Sequence, residues 1–362
     1  MAEVLEDASQ KKLQGGATLS AAFHGTTAID TRETGPFAIE VNSLVKQYPG
    51  VPLPAVAGIS FRVKAGEIFG LLGPNGAGKT TTIGVLTTRV RPTSGHILVA
   101  GYDVRRNPIN VRKNIAVVPQ FTNLDRSLNP RENLIFHAAY FGVPRAVREQ
   151  RADMLIDQLG LNDWKKQKLD RFSGGMAQRI MIGRALMTEP SIIFLDEPTT
   201  GLDPQSRLFL WDKIVEANGR GVTIILTTHD MEEADRLCHR VGIIDHGQLL
   251  ALGTPTELKG MVPGGSRLEV HVAPTERATL ETFLERLCAL ENVKRGEIVE
   301  RETEHSFYEE GETIRLYTSK QELGSEIADV ARQSGVTIWE LRLAQPSLEN
   351  LFIFLTGREL RK

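Results

Sequence analysis

The chain has only two cysteines in 362 residues, Cys238 and Cys288, far apart and without Cys-x-x-Cys spacing. That excludes a disulfide framework and a zinc knuckle, and both are expected to be buried free thiols. No apolar run approaches the roughly 20 residues of a membrane-spanning helix, so the chain is not expected to cross a bilayer. Charge of either sign is nearly cancelled: 43 Lys and Arg against 45 Asp and Glu leave a net charge of -2, with no general pull toward nucleic acid or anionic lipid. No nucleic-acid partner is expected. There is no fixed-period repeat and no sustained heptad. The first residues, Met-Ala-Glu-Val-Leu-Glu-Asp, lack the basic and apolar regions of a secretory signal, and a cytoplasmic location is expected.

What is present is an ordinary globular mixture, 41% hydrophobic and 24% charged, long enough for two domains. Residues 1–36, rich in Gly, Ala, Ser and Thr, read as a flexible extension. From Phe37 the pattern turns to alternating strands, then to the apolar segment Glu67-Ile-Phe-Gly-Leu-Leu ending in a glycine loop. Residues from about Leu124 to Leu169 are helical in character, with Asn129-Pro130 as a start signal. Buried strands return at Ser191-Ile-Ile-Phe-Leu, Val222-Thr-Ile-Ile-Leu and Arg240-Val-Gly-Ile-Ile-Asp, which implies a parallel sheet with crossover helices. A turn-rich linker at Pro263-Gly-Gly-Ser suggests domains over 37–262 and 263–362. The second reads strand, helix, strand, strand, helix, strand, a small α+β module of ferredoxin-like βαββαβ order, followed by a docking helix from Pro346.

Gly73-Pro74-Asn75-Gly76-Ala77-Gly78-Lys79-Thr80, followed by Thr81, satisfies the Gly-x4-Gly-Lys-Thr phosphate loop between an apolar strand and a helix. Glycines let successive N–H groups turn toward phosphate, and the helix N-terminus adds partial positive charge. Lys79 reaches the β and γ phosphates, and the Thr80 hydroxyl suits Mg²⁺. Ile192-Ile-Phe-Leu-Asp196-Glu197 is an apolar strand ending in two carboxylates. Asp196 is expected to hold Mg²⁺ and Glu197 to polarise an attacking water. ATP and Mg²⁺ are the expected ligands.

Those two motifs do not choose a family, since phosphate loops occur in many kinases, GTPases and motors. The segment Arg171-Phe-Ser-Gly-Gly-Met-Ala-Gln-Arg, about twenty residues before Asp196, resembles the signature of ATP-binding cassette proteins, with Phe172 and Met176 at positions usually Leu and Gln. The resemblance covers residues 37–262. It implies an α/β P-loop cassette: a RecA-like parallel core, an antiparallel β subdomain and a helical subdomain over about 121–175. It implies that Ser173, Gly174 and Gly175 bind the γ-phosphate of ATP held by a second copy of the chain, in a head-to-tail homodimer. Gln120 resembles the Q-loop glutamine that contacts Mg²⁺ and water, Asp203 lies in a D-loop, His229 resembles the switch histidine, and Tyr48 the aromatic that stacks on adenine.

Val-Val-Pro-Gln-Phe-Thr-Asn-Leu-Asp with Pro130-Arg-Glu-Asn-Leu, and the tail Pro346-Ser-Leu-Glu-Asn-Leu-Phe with Leu355-Thr-Gly-Arg-Glu-Leu, resemble the ATPases of daunorubicin-resistance and nodulation-factor type exporters. That likeness implies a polytopic membrane permease on a separate chain and a place on the cytoplasmic face of the membrane. Phe121, Phe136, Tyr140 and Phe141 either line a groove for that permease or pack the core of their own helices. The alternative is a soluble cassette ATPase acting on a macromolecular complex, and residues 263–362 are open to a regulatory or a structural role.

Overall fold

The computed structural model describes residues 37–169, 172–262, 266–299, 311–318, 323–344 and 346–357. The extension over 1–36, Arg171, the linker residues 263–265, residues 319–322 and the tail from Arg358 lie outside the described residues. The chain forms two compact units that divide between Pro255 and Thr256. No helix among the described residues is long and apolar enough to cross a membrane.

In the first unit, β1 (Phe37–Lys46), β2 (Val56–Lys64), β4 (Ser94–Val99) and β5 (Tyr102–Asp103) make an antiparallel sheet in the order β2-β1-β4-β5. Six strands make the second sheet: β3 (Ile68–Leu72), β6 (Ile115–Val118), β7 (Ile192–Asp196), β8 (Thr223–Thr228), β9 (Arg240–Asp245) and β10 (Gln248–Gly253), in the order β10-β9-β3-β8-β7-β6. Every residue of β3, β7 and β8 is buried, as strands covered on both faces require. The two sheets share a core that includes Ile39, Val41, Phe61, Phe69, Leu71, Ile83, Phe194 and Ile244, with the Phe61 and Phe69 rings stacked 5.2 Å apart.

The sheet is not parallel throughout. Strands β3, β6, β7, β8 and β9 are, but β10 returns antiparallel beside β9 through the two-residue turn His246-Gly247. Both turn residues have positive φ, 45° and 73°, the twist that a tight hairpin needs. The register fixes the position of the site. Leu72 lies opposite Thr228 and Asp196 opposite Thr227, so the carboxyl ends of β3, β8 and β7 share one edge of the sheet. Ligands of open α/β sheets bind at such an edge.

The helical part holds α3 (Pro130–Tyr140) and α4 (Arg145–Gln158), packed with α5 (Gly174–Leu186) around Leu134, Ala138, Leu155, Ile156, Ile180 and Met187. The crossover helices α1 (Lys79–Leu86), α2 (Pro108–Asn114), α6 (Pro204–Gly219) and α7 (Met231–Leu237) complete the unit. Helix α3 starts where Asn129-Pro130 predicts, through a capping box: Glu132 N–H donates to Asn129 Oδ1 and Asn129 N–H to Glu132 Oε2, both at 2.9 Å.

The division falls at the first residue of α8 (Pro255–Gly260), and the second unit then runs β11 (Ser266–Val272), α9 (Arg277–Cys288), β12 (Val293–Val299), β13 (Glu312–Thr318), α10 (Gly324–Ser334) and β14 (Ile338–Ala344). Its strand order β12-β13-β11-β14, all antiparallel, is the ferredoxin-like arrangement. Leu268, Val270, Leu280, Phe283, Ile314 and Ile327 form its core. Helix α11 (Leu348–Thr356) begins at a Ser347 capping box and buries Leu348, Leu351 and Phe352. One expectation is corrected here. Cys238 is buried and free, but Cys288 is exposed, because α9 turns Leu280, Phe283 and Leu287 to the core and leaves the next position outside.

Candidate functional site

The phosphate loop leaves the end of β3 and closes at the start of α1. Two of its glycines are fixed by sterics. A Cβ on Gly73 would stand 2.1 Å from the Ile244 carbonyl oxygen, and one on Gly78 would stand 2.4 Å from that of Ala55. Gly78 also holds φ 106°, and it caps α1 with no side-chain hydrogen bond of its own. The first-turn N–H groups of α1 are therefore left for a ligand. Pro74, Asn75, Gly76, Ala77, Gly78, Lys79, Thr80 and Thr81 line a cleft of about 330 Å³, together with Ala55, Gln120 and Glu197.

Lys79, 4% exposed, donates from Nζ to the carbonyls of Gly73 (2.6 Å) and Pro74 (3.1 Å) and pairs with Glu197 Oε1 at 3.1 Å. Buried charges need such partners. Glu197, 7% exposed, sits just past the end of β7 with φ 47°, a left-handed conformation that costs a residue with a Cβ about 1–2 kcal/mol. It is held there by its N–H, which donates to the Thr227 carbonyl and hydroxyl oxygens, each at 3.1 Å. The strain aims the carboxylate back over the loop, and such outliers concentrate at functional sites.

Around that carboxylate gather groups that the sequence places far apart. Gln120 Nε2 donates to Glu197 Oε2 at 3.2 Å, Thr200 Oγ1 donates to the same oxygen at 3.3 Å, and His229 Nδ1 lies 3.2 Å from it outside hydrogen-bond geometry. Thr80 Oγ1 lies 3.2 Å from Asp196 Oδ1. A hydroxyl and a carboxylate side by side beside a phosphate loop fit Mg²⁺, which takes few protein oxygens and completes its shell with phosphate and water. The described residues contain no cluster of three acids, histidines or cysteines that could hold a metal ion.

Other expected residues stand apart from this cleft. Tyr48 lies beyond β1, 36% exposed, with Lys46 Nζ 4.7 Å from its ring centre, and it does not line the cleft. Ser173 caps α5, accepting from Met176 N–H at 3.2 Å, and with Gly174 it is exposed. Gly175 is packed so closely on α6 that a Cβ would meet Ser206 Oγ at 2.2 Å. Asp203 caps α6 through Ser206 N–H at 2.9 Å, and the Ser206 hydrogen bonds hold its carboxyl below the usual range. Sequence reasoning missed Thr227, which donates to Asp196 Oδ1 at 2.6 Å while it anchors Glu197. Its signal was there: two threonines close an otherwise apolar strand immediately before His229.

A strained carboxylate, a loop lysine and a hydroxyl–carboxylate pair at one sheet edge define a phosphate-loop nucleoside-triphosphatase with a cassette subdomain plan. Comparison with known proteins gives the family. The "ABC transporter" family model matches residues 56–200, and a model of an AAA domain, described as a putative AbiEii toxin of a type IV toxin–antitoxin system, matches residues 173–235. The daunorubicin/doxorubicin resistance ATP-binding protein DrrA of Streptomyces peucetius is 38% identical over 88% of this chain and 92% of its own length. The Nod factor export ATP-binding protein I of Burkholderia pseudomallei is 39% identical over 84% and 93%. The solved cbiO1 of Clostridium perfringens, part of the transporter complex cbiONQ, is 28% identical with a TM-score of 0.58 over 62% of this chain and 91% of that one. The chain belongs to the ATP-binding cassette transporter family: it binds ATP with Mg²⁺ and hydrolyses it.

Proposed function

We propose that this chain powers a separate polytopic permease of an exporter by closing as a head-to-tail dimer on two ATP molecules and reopening after hydrolysis. The observation that carries the reading is the convergence of Lys79, Asp196, Glu197, Gln120 and His229 at one edge, while Ser173, Gly174, Gly175 and Asp203 lie outside their own cleft. An exposed helix N-terminus that does not line its own phosphate-loop cleft suits a nucleotide on a second copy. Closing two copies on ATP then makes two composite sites.

In each, loop N–H groups and Lys79 bind the phosphates, Tyr48 covers adenine, and Glu197 accepts a hydrogen bond from the attacking water and takes its proton as the new bond forms. Water oxygen bonds to the γ-phosphorus as its bond to the β–γ bridging oxygen breaks, and ADP keeps that electron pair. Thr80, Asp196 and Gln120 would hold Mg²⁺, which would supply positive charge to offset that of the phosphates. His229 steadies the γ-phosphate. Because Glu197 is tied to both Lys79 and Gln120, its carboxylate reports to the loop and to the helical part at once.

Phe121, Phe136, Tyr140 and Phe141 are 79%, 57%, 88% and 47% exposed, which favours the permease groove over the core of their own helices. Tyr140 and Phe141 line a cavity of about 400 Å³ with Val117, His137 and Arg184, a fit for a short permease helix. The chain then works on the cytoplasmic face of the membrane through that permease. Glu197→Gln is the test. It should lower turnover by at least about 100-fold while ATP stays bound and the dimer is trapped. Purified from detergent-solubilised native cells with Mg-ATP, it should carry a stoichiometric polytopic protein. Normal turnover would remove Glu197 as the base, and exclusively soluble partners would remove the exporter.

A further inference from the structure

Glu233, in the first turn of α7, is a carboxylic acid with no exposure at all, and the hydrolytic chemistry above does not use it. Its Oε1 accepts from Thr199 Oγ1 at 2.9 Å and from Trp211 Nε1 at 3.1 Å, and the Thr228 hydroxyl lies against the same carboxyl. Oε2 is sealed from solvent without a partner of hydrogen-bond geometry. Burial pushes the carboxyl pKa up, against the hydrogen bonds from Thr228, Trp211 and Thr199 that favour the charged form. Thr199, Trp211 and Thr228 are themselves 4%, 2% and 2% exposed, so the cluster is closed to water.

The partners come from three separate segments. Thr199 stands two residues after Glu197. Trp211 is in α6, the helix that Asp203 caps. Thr228 immediately precedes His229. The Glu197 carboxylate and the His229 ring, 3.2 Å apart, must be held in fixed positions to orient a water and a γ-phosphate, and a shift of about 1 Å in such a site costs on the order of 100-fold in rate. A carboxyl whose one oxygen takes two donors from different segments holds them with less play than an apolar side chain of the same volume, which packs without direction. A core selected for stability alone is often as well served by an apolar residue as by a buried acid.

We propose that Glu233 is a positioning residue for ATP hydrolysis, its carboxyl tying the segment after Glu197, helix α6 and the strand end before His229 into one block. The proposal rests on the hydrolytic roles given to Glu197 and His229. It requires an oxygen that accepts at the Oε1 position and does not require a negative charge, so an amide suffices there.

The test uses the full chain with Glu233→Gln, Glu233→Leu, Thr199→Val and, alongside, Glu197→Gln, reading kcat and KM for ATP together with the melting temperature. Glu233→Leu and Thr199→Val are expected to lower kcat by about 10- to 100-fold with KM within about threefold, and Glu233→Gln to keep more than about a third of kcat. Should Glu233→Leu not fold, Thr199→Val and Glu233→Gln carry the comparison. A kcat within about twofold of wild type in both Thr199→Val and any folded Glu233→Leu overturns the proposal, as does a loss that follows only the folded fraction, or a Gln variant as impaired as Leu. Glu197→Gln separates the two readings. If it turns over normally, the hydrolytic assignment fails first; if it is inactive and Glu233→Leu is not, only the positioning role fails.

Discussion

At Gly78 a single missing Cβ decides whether the phosphate loop can form. Alanine there would keep φ near 106° and press its methyl to 2.4 Å from the Ala55 carbonyl oxygen, so Gly78→Ala should destabilise the fold by about 1–3 kcal/mol and abolish ATP binding. Thermal unfolding and a fluorescent-nucleotide titration check both parts. Thr227 makes a second residue-scale case. Its hydroxyl orients Asp196 and anchors the strained Glu197, so Thr227→Val should raise the Mg²⁺ concentration for half-maximal ATPase activity by about 10- to 100-fold, as losing the outer partner of a metal ligand does. An unchanged Mg²⁺ requirement would argue that Asp196 holds its orientation without Thr227. The loop glycines could be read from spacing alone. The positive φ of Glu197 could not, because no local pattern marks a strained residue that Thr227, on the neighbouring strand, helps keep in place.

At the scale of the element, α3 carries two separable predictions. Removing its capping box with Asn129→Ala should lower stability by about 1 kcal/mol, measured by urea unfolding, and leave the KM for ATP alone. His137, on the same helix, has its pKa pushed down to about 4 by burial and then by the nearby Arg184 charge. The unfolded chain binds a proton at His137 near pH 6.5, before the folded chain does. Stability from this residue is thus complete above about pH 6.5 and falls as the pH drops toward about 4. Comparing wild type with His137→Gln at pH 7 and pH 5 should show a shallower acid loss in the variant; equal losses would mean that His137 is free to protonate in the folded state. Asn129-Pro130 announced the start of α3, since capping chemistry is local. Whether Phe136, Tyr140 and Phe141 face a core or solvent was not legible, because a helix with aromatics on more than one side can bury either of them, and the choice is made by α4 and α5.

For the whole molecule, composite sites have an arithmetic of their own. A Ser173→Arg chain spoils the site of its partner, while a Glu197→Gln chain spoils its own. Each variant alone should be inactive. Mixed in equal amounts before ATP is added, they form heterodimers in which one site has both wild-type halves, and random pairing predicts recovery of about a quarter of the wild-type sites. Steady-state phosphate release after mixing reads this directly, and no recovery at all would sink the head-to-tail arrangement. Docking gives a second prediction. Tyr140→Asp should leave basal ATPase activity near wild type and weaken recovery of the polytopic partner in affinity purification. If the partner is retained undiminished, the exposed aromatics lie outside that contact.

The sequence by itself determined the chemical set and its order. Glycine spacing, a lysine at a helix start and apolar strands ending in acids are local demands of phosphate, magnesium and a covered sheet, and the βαββαβ order of the second unit followed from alternating periods in the same way. Tertiary structure alone decided which strand ends became neighbours, how Glu197 was turned back onto Lys79, that Ser173 stood outside its own cleft, and that Thr199, Trp211 and Thr228 met at Glu233. The reason is range. Hydrophobic period, capping and permitted φ are properties of a few consecutive residues, whereas strand pairing and the burial of a polar side chain depend on groups tens to more than a hundred positions away that only packing brings into contact.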